Sequence, residues 1–173
     1  LVGSITLGVG QFCTNPGLII CKQNEKLDNF IKLFSSKINT VKPETMLNPN
    51  ICATYNNSIK NIIDESLIKI EGIFDEVNDT NKGISMIGSI DGEVFLKNKN
   101  LKNEVFGPFS LIVKCKNIEE INKVILSIGG QLTGSIFADE IELKSISNTI
   151  DLLKLKVGRI IYNGVPTGVE VCT

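Results

Sequence analysis

The residues best suited to chemistry lie near the start of the chain, in Gly8-Val9-Gly10-Gln11-Phe12-Cys13-Thr14-Asn15-Pro16-Gly17. Glycines at 8, 10 and 17 and a proline at 16 around a single cysteine describe a tight, rigid loop. A thiolate attacks a carbonyl carbon well, but an ordinary thiol, with a pKa of about 8.5, must first be activated by its surroundings or by a base. Glycine-rich backbone can bring N–H groups up to a developing oxyanion. The loop by itself leaves a second reading open, and the residue types favour it: a buried cysteine acting as a small core hydrophobe in a turn. Gly8-x-Gly10 is not a dinucleotide fingerprint, because the third glycine and the later acidic residue do not stand at the required offsets.

The rest of the composition narrows the chemistry. The chain of 173 residues contains no histidine, which removes a Ser-His-Asp triad, a Cys-His pair and any histidine-ligated metal. Lys and Arg total 18 and Asp and Glu 19, so the net charge of -1 points to neither nucleic acid nor an anionic membrane as partner. The five cysteines, at 13, 21, 52, 115 and 172, are odd in number and form no C-x-x-C pair. They suit free thiols in a cytoplasmic protein better than a disulfide framework or a zinc ribbon. No run of about 18 apolar residues suggests a membrane span. The chain begins Leu1-Val2-Gly3, with neither Met nor the charged n-region of a signal peptide, and is expected to be a piece of a longer protein.

The elements that must position this loop follow from periodicity. Leu111-Ile112-Val113 reads as a buried strand, and Asn117 as the cap of a helix carrying Ile118, Ile121, Val124, Ile125 and Ile128 up to Gly129-Gly130. Thr133–Ala138 and Val157–Tyr162 read as two more strands, with a helix between them starting at Ser145 or Ser147. In the first half, Gly17–Cys21 and Ser85–Ile90 read as strands; Leu27, Phe30, Ile31 and Phe34 mark one helix, and Ile59, Ile62 and Ile63 another. Glu65–Phe74 is ambiguous, and Asp91-Gly92 and Thr80–Gly83 read as turns. The alternation predicts an α/β fold, a parallel twisted sheet with helices on both faces. In such sheets ligands gather at the carboxyl ends of the strands, where Asn163–Gly168 would lie. Glu104–Phe109 precedes a strand and gains no role from that rule.

Four blocks, in order, carry a resemblance that the pattern alone does not. Gly10-Gln11-Phe12-Cys13-Thr14-Asn15-Pro16-Gly17 resembles the cysteine loop of the aldehyde dehydrogenase superfamily, in the branch that holds α-ketoglutaric semialdehyde and NADP-dependent fatty aldehyde dehydrogenases. Glu104-Val105-Phe106-Gly107-Pro108 resembles the superfamily's second signature, Leu132–Ala138 its following strand, and Gly158–Val171 its C-terminal active-site segment. The resemblance spans nearly the whole chain, and is weak between about residues 24 and 102.

The resemblance implies that residues 1–173 are the cysteine-bearing catalytic domain of such an enzyme, cut at both ends and lacking the cofactor-binding domain. It implies an NAD(P)-dependent oxidation of an aldehyde to an acid, with Cys13 as nucleophile passing through a thiohemiacetal and a thioester. It also implies that the Cys13 backbone N–H forms half of an oxyanion hole and that Glu104 binds the ribose hydroxyls of NAD or NADP. Phe106 would pack near the nicotinamide, and Phe12, Thr14, Asn163 and Val165 would line the substrate site. The general-base Glu and the Gly-rich cofactor region would lie upstream, and the whole enzyme would be a homo-oligomer. Two alternatives remain beside this reading: an acylating relative that uses coenzyme A or an acyl phosphate, and a non-catalytic piece that keeps the fold.

Overall fold

The computed structural model describes residues 1–65, 68–74 and 81–166. A short helix α1 (Val2–Thr6) runs through a 3-10 turn (Leu7–Gly10) into the cysteine loop, and strand β1 (Leu18–Lys22) follows. Helix α2 (Glu25–Ile38) starts where the Asn24 side chain accepts from the Leu27 N–H, with Glu25 and Asp28 in its first turn. Its Leu27, Ile31, Phe34 and Ile38 form one buried stripe, each side chain contributing about 1.5–3 kcal/mol on leaving water. Next come β2 (Glu44–Thr45), α3 (Pro49–Glu65), β3 (Lys69–Ile73), β4 (Lys82–Gly83) and β5 (Met86–Asp91). The chain continues through α4 (Gly92–Lys97), β6 (Phe109–Cys115), α5 (Ile118–Ser127), β7 (Gln131–Ile136), α6 (Glu140–Ser145), α7 (Ser147–Lys154) and β8 (Val157–Tyr162).

The main sheet has the order β1-β6-β5-β3, with β1, β6 and β5 parallel and β3 antiparallel at the edge. Side chains alternate across it. Ile87 and Ile112 point to α1 and α2, where they meet Ile5 and the buried stripe of α2. Met86, Ile90, Leu111 and Val113 point to the other face and pack with Ile59 and Ile62 of α3, Phe95 of α4 and Val124 of α5. The expected α/β class, with helices on both faces of a parallel sheet, is therefore present. The strands β7 and β8 pair in parallel with each other as a separate two-stranded unit, with α7 as their crossover.

Two local readings need correction. Asp91-Gly92 is not a turn between strands: Asp91 is the N-cap of α4, and β5 passes directly into that helix. Gly92 is required there by close packing, since a Cβ on it would lie 2.9 Å from the Glu120 carboxylate. Of the turn expected at Thr80–Gly83, Asn81 does lie in a turn, Lys82 and Gly83 instead pair antiparallel with Thr45 and Glu44, and Thr80 lies outside the described residues. Asp139 and Glu142 form a reciprocal capping box, which opens α6.

Candidate active site at the amino ends of two parallel strands

The cysteine loop leads into β1, and the Glu104–Pro108 loop leads into β6. Because β1 and β6 are parallel neighbours, with Leu18 opposite Leu111, both loops emerge at the same edge of the sheet. That edge holds the amino ends of the strands, opposite to where the general rule for open α/β sheets would look. Backbone and side-chain bonds tie the loops together: the Leu111 N–H donates to the Gly17 carbonyl, and the Ser110 hydroxyl to the Pro16 carbonyl.

The approach to Cys13 is unusual in its backbone. Gly8, Val9 and Gly10 have φ of 54°, 58° and 66°, three successive left-handed residues. For a β-branched valine this is a strained conformation, and burial holds it: Val9 sits in the core with Met46, and a Cβ on Gly83 would lie 2.6 Å from its Cγ1. Gln11 then pins the loop from both ends of its amide. Its Nε2 donates to the Gly8 carbonyl at 2.9 Å, and its Oε1 accepts from the Leu47 N–H at 2.9 Å. The Asn15 N–H donates to the Phe12 carbonyl at 2.9 Å, closing a turn whose two central residues are Cys13 and Thr14.

Cys13 is exposed on that turn, so the core-hydrophobe reading does not describe it. The other described cysteines are covered: Cys52 and Cys115 are buried, and Cys21 is half-buried. Burial pushes the Cys21 thiol up to about 11. Burial, with the Glu120 carboxylate and Cys21 nearby, pushes Cys115 up to about 12. Both remain protonated near neutral pH, which makes them poor nucleophiles. Cys172 lies outside the described residues.

Gly107 is where the second loop meets the first. Its carbonyl accepts from Asn15 Nδ2 at 2.8 Å, and its backbone faces Gly10 so closely that a Cβ on Gly10 would collide with it. On the other side the Tyr55 ring covers Gly107, and the Tyr55 hydroxyl donates to the Ile84 carbonyl at 2.6 Å. Glu104 is exposed and engages no described residue by hydrogen bond or ion pair. Phe106 is exposed and lines an open concavity of about 260 Å³ with Asn48, Asn50, Ile51 and Thr54. A free carboxylate accepts two hydroxyl hydrogen bonds well, and an exposed ring above an open hollow leaves room for a flat ligand. These residues fit the ribose and nicotinamide of a dinucleotide.

The remaining expected site residues divide. Phe12 is exposed with its ring over Gly8, and Val165 is exposed. Thr14, beside Cys13 in the same turn, is buried, 5% exposed. Asn163, with φ 50°, uses both ends of its amide on one residue: Oδ1 accepts from the Ala138 N–H at 3.1 Å and Nδ2 donates to the Ala138 carbonyl at 3.0 Å. It thereby extends the β7–β8 pairing by one step, and no hydrogen bond joins it to the Cys13 loop. Residues 167–171 of the last block lie outside the described residues. Gln11, Asn15 and Tyr55 were not singled out from the sequence for these contacts; an Asn two residues after the cysteine was visible, but its partner 92 positions away was not.

An α/β layer structure that presents an exposed cysteine just before a parallel strand, against a second loop before the neighbouring strand, is the frame of a thiol-bearing α/β domain. The model of the Aldehyde dehydrogenase family matches residues 1–172, and the chain belongs to that family. It is 33% identical over 171 residues to an alpha-ketoglutaric semialdehyde dehydrogenase 2 of Azospirillum brasilense, covering 99% of this chain and 33% of that protein. It is also 33% identical to an alpha-ketoglutaric semialdehyde dehydrogenase of Acinetobacter baylyi, over 98% of this chain and 32% of that protein. The chain thus spans about a third of the length of these curated relatives. Among solved structures, an aldehyde dehydrogenase from Bacillus cereus in its NAD+ complex matches with TM-score 0.79 at 14% identity, covering 96% of this chain and 34% of that one. A succinic semialdehyde dehydrogenase from Streptococcus pyogenes in complex with NADP+ matches with TM-score 0.76 at 20% identity, covering 96% and 37%. These two likenesses establish the fold.

Proposed function

We propose that this chain is the cysteine-bearing catalytic portion of an NAD(P)-dependent aldehyde dehydrogenase, with Cys13 as its nucleophile. The observation that carries the reading is the exposed Cys13, on a turn held against the loop of Glu104 and Phe106. In this reading Cys13 Sγ, as thiolate, forms a bond to the aldehyde carbon, and the carbonyl oxygen takes the electron pair. The Cys13 backbone N–H stabilises that oxygen. A nicotinamide held beside Glu104 and Phe106 would supply the two-electron oxidation as hydride acceptor. Water then cleaves the C–S bond of the thioester, releasing the carboxylic acid and returning the thiol.

The chain's own residues divide the remaining work. Glu104 accepts the ribose hydroxyls, Phe106 packs beside the nicotinamide, and Phe12 and Val165 line the aldehyde's approach. Thr14 and Asn163 serve the site indirectly, Thr14 by anchoring the turn with its buried side chain and Asn163 by fixing the end of β8. The base that activates water, the rest of the cofactor site and the surfaces of a homo-oligomer belong to other parts of a longer cytoplasmic enzyme. The 33% identity to two proteins named for alpha-ketoglutaric semialdehyde supports a semialdehyde as substrate.

The test is made in the full-length protein. Aldehyde-dependent formation of reduced nicotinamide is expected with a semialdehyde, and Cys13→Ala is expected to abolish it. Turnover retained by Cys13→Ala removes the assignment. Turnover that requires coenzyme A in place of water moves the protein to the acylating branch.

A further inference from the structure

We propose that Lys156 is a positioning residue, whose ammonium pins the β7–β8 unit to the end of α5 and so sets where β8 delivers Asn163 and Val165. The proposal rests on the functional reading above, in which Val165 lines the aldehyde's approach, and adds the residue that holds this wall of the site in place. Helix α5 ends at Ser127 without a glycine cap. Ile128 is extended, with φ -86° and ψ 156°, and neither Gly129 nor Gly130 has the positive φ of a left-handed cap. The carbonyls at that end therefore need partners from elsewhere. Lys156, at the joint between α7 and β8, supplies them: its Nζ donates to the Leu126 carbonyl at 2.9 Å and to the Ile128 carbonyl at 2.8 Å. A cation there also meets the negative end of the helix dipole. The backbone of the same residue closes the unit itself. The Lys156 carbonyl accepts from the Gln131 N–H at 2.7 Å, and the Lys156 N–H donates to the Leu153 carbonyl at 2.9 Å.

The described part of the unit, residues 131–166, is thinly buried: Thr149 is the one residue in it that is buried. An element that removes so little surface from water rocks against its neighbour unless polar contacts fix it. The Thr149 hydroxyl makes a second tether to the same helix, donating to Asn122 Oδ1 at 2.7 Å. Two attachments along one helix fix the unit's angle as well as its place. That angle matters at the far end. β8 starts one residue after Lys156, and its six residues carry the chain about 20 Å to Asn163. A small tilt at the pin is therefore magnified at Asn163 and Val165.

The test compares two variants of the full-length protein: Lys156→Met, which keeps a long side chain but removes the charge and the donors, and Lys156→Arg, which keeps both. Backbone hydrogen exchange read by mass spectrometry reports the docking, and steady-state kinetics report the site. In Lys156→Met, exchange in β7 and β8 is expected to quicken about tenfold, the scale of one charge-assisted hydrogen bond, while β1, β5 and β6 exchange as in the wild type. The KM for the aldehyde is expected to rise about three- to tenfold, with the KM for the nicotinamide cofactor unchanged. Lys156→Arg is expected to bring both readouts back to within about twofold of the wild type. Unchanged exchange in Lys156→Met overturns the proposal, because other contacts then dock the unit. Exchange quickened equally in the main sheet also overturns it, since Lys156 then serves only global stability. Faster exchange in β7 and β8 with an unaltered aldehyde KM overturns the placing of the site, and so does a Lys156→Arg that behaves as Lys156→Met. Aldehyde oxidation retained by Cys13→Ala is the separate failure of the functional reading, and the exchange measurement does not depend on it.

Discussion

Gly10 and Gly107, 97 positions apart in sequence, touch backbone to backbone: a Cβ on Gly10 would collide with the Gly107 carbonyl. Gly10 also has φ 66°, where an L side chain is strained whatever the space. Gly10→Ala therefore combines a left-handed alanine, about 1–2 kcal/mol, with displacement of the second loop, about 1–3 kcal/mol. The expected loss of stability is about 2–5 kcal/mol in urea unfolding. A variant as stable as the wild type would mean that the loops do not meet at these glycines.

Alkylation should distinguish the thiols. Cys13 is exposed, whereas Cys52 and Cys115 are buried and Cys21 is half-buried with its thiol raised to about 11. At about pH 8, iodoacetamide is expected to modify Cys13 at least tenfold faster than Cys21, Cys52 or Cys115 in the folded protein. Urea should erase the difference. Equal rates in the folded state would contradict the placement of Cys13 on the surface turn.

How much of this was readable in advance depended on distance along the chain. β6 and α5 were legible because Leu111–Val113 is a compact apolar run and Asn117 a side-chain cap, both local signals. Asp91-Gly92 misled for the same reason: a turn dipeptide and a helix N-cap share residue types, and the packing of Gly92 on Glu120 decided between them. The cysteine loop was recognisable by its residues, but its partner was not. The meeting of Cys13's turn with Gly107, at the end of the loop that carries Glu104 and Phe106, depends on β1 lying beside β6, a strand order that no spacing records. Asn163 was legible as a turn residue, and its amide engages the Ala138 backbone in that capacity.

Buried thiols also set a pH dependence. The folded state holds the Cys21 proton up to about 11 and the Cys115 proton up to about 12, while an unfolded thiol releases its proton well below either value. Burial, with Cys52 nearby, raises the Tyr55 hydroxyl in the same direction from 10.0. For groups whose pKa is raised on folding, the stabilisation is complete below the unfolded value and is lost as pH climbs through the folded one. Stability is thus expected to hold to about pH 9 and to fall steadily from there toward about pH 12. Urea unfolding at several alkaline pH values checks this, and Cys115→Ala should reduce the slope. A slope unchanged in that variant would show that the Cys115 proton is not linked to folding.

Glu104 provides the sharpest check on the cofactor side of the site. It stands exposed with no hydrogen bond or ion pair to any described residue, a disposition that costs the fold little to change. Glu104→Gln is therefore expected to leave thermal stability within about 0.5 kcal/mol of the wild type. The amide keeps one acceptor oxygen but loses the charge that strengthens a carboxylate's bonds to hydroxyls, a difference of about 1.5 kcal/mol. In the full-length enzyme the KM for the nicotinamide cofactor should rise about tenfold while the KM for the aldehyde is unaltered. Iodoacetamide modification of Cys13 without cofactor should also be unaltered, because no hydrogen bond or ion pair joins Glu104 to the turn that carries it. Cofactor kinetics identical to the wild type would remove Glu104 from the proposed ribose site.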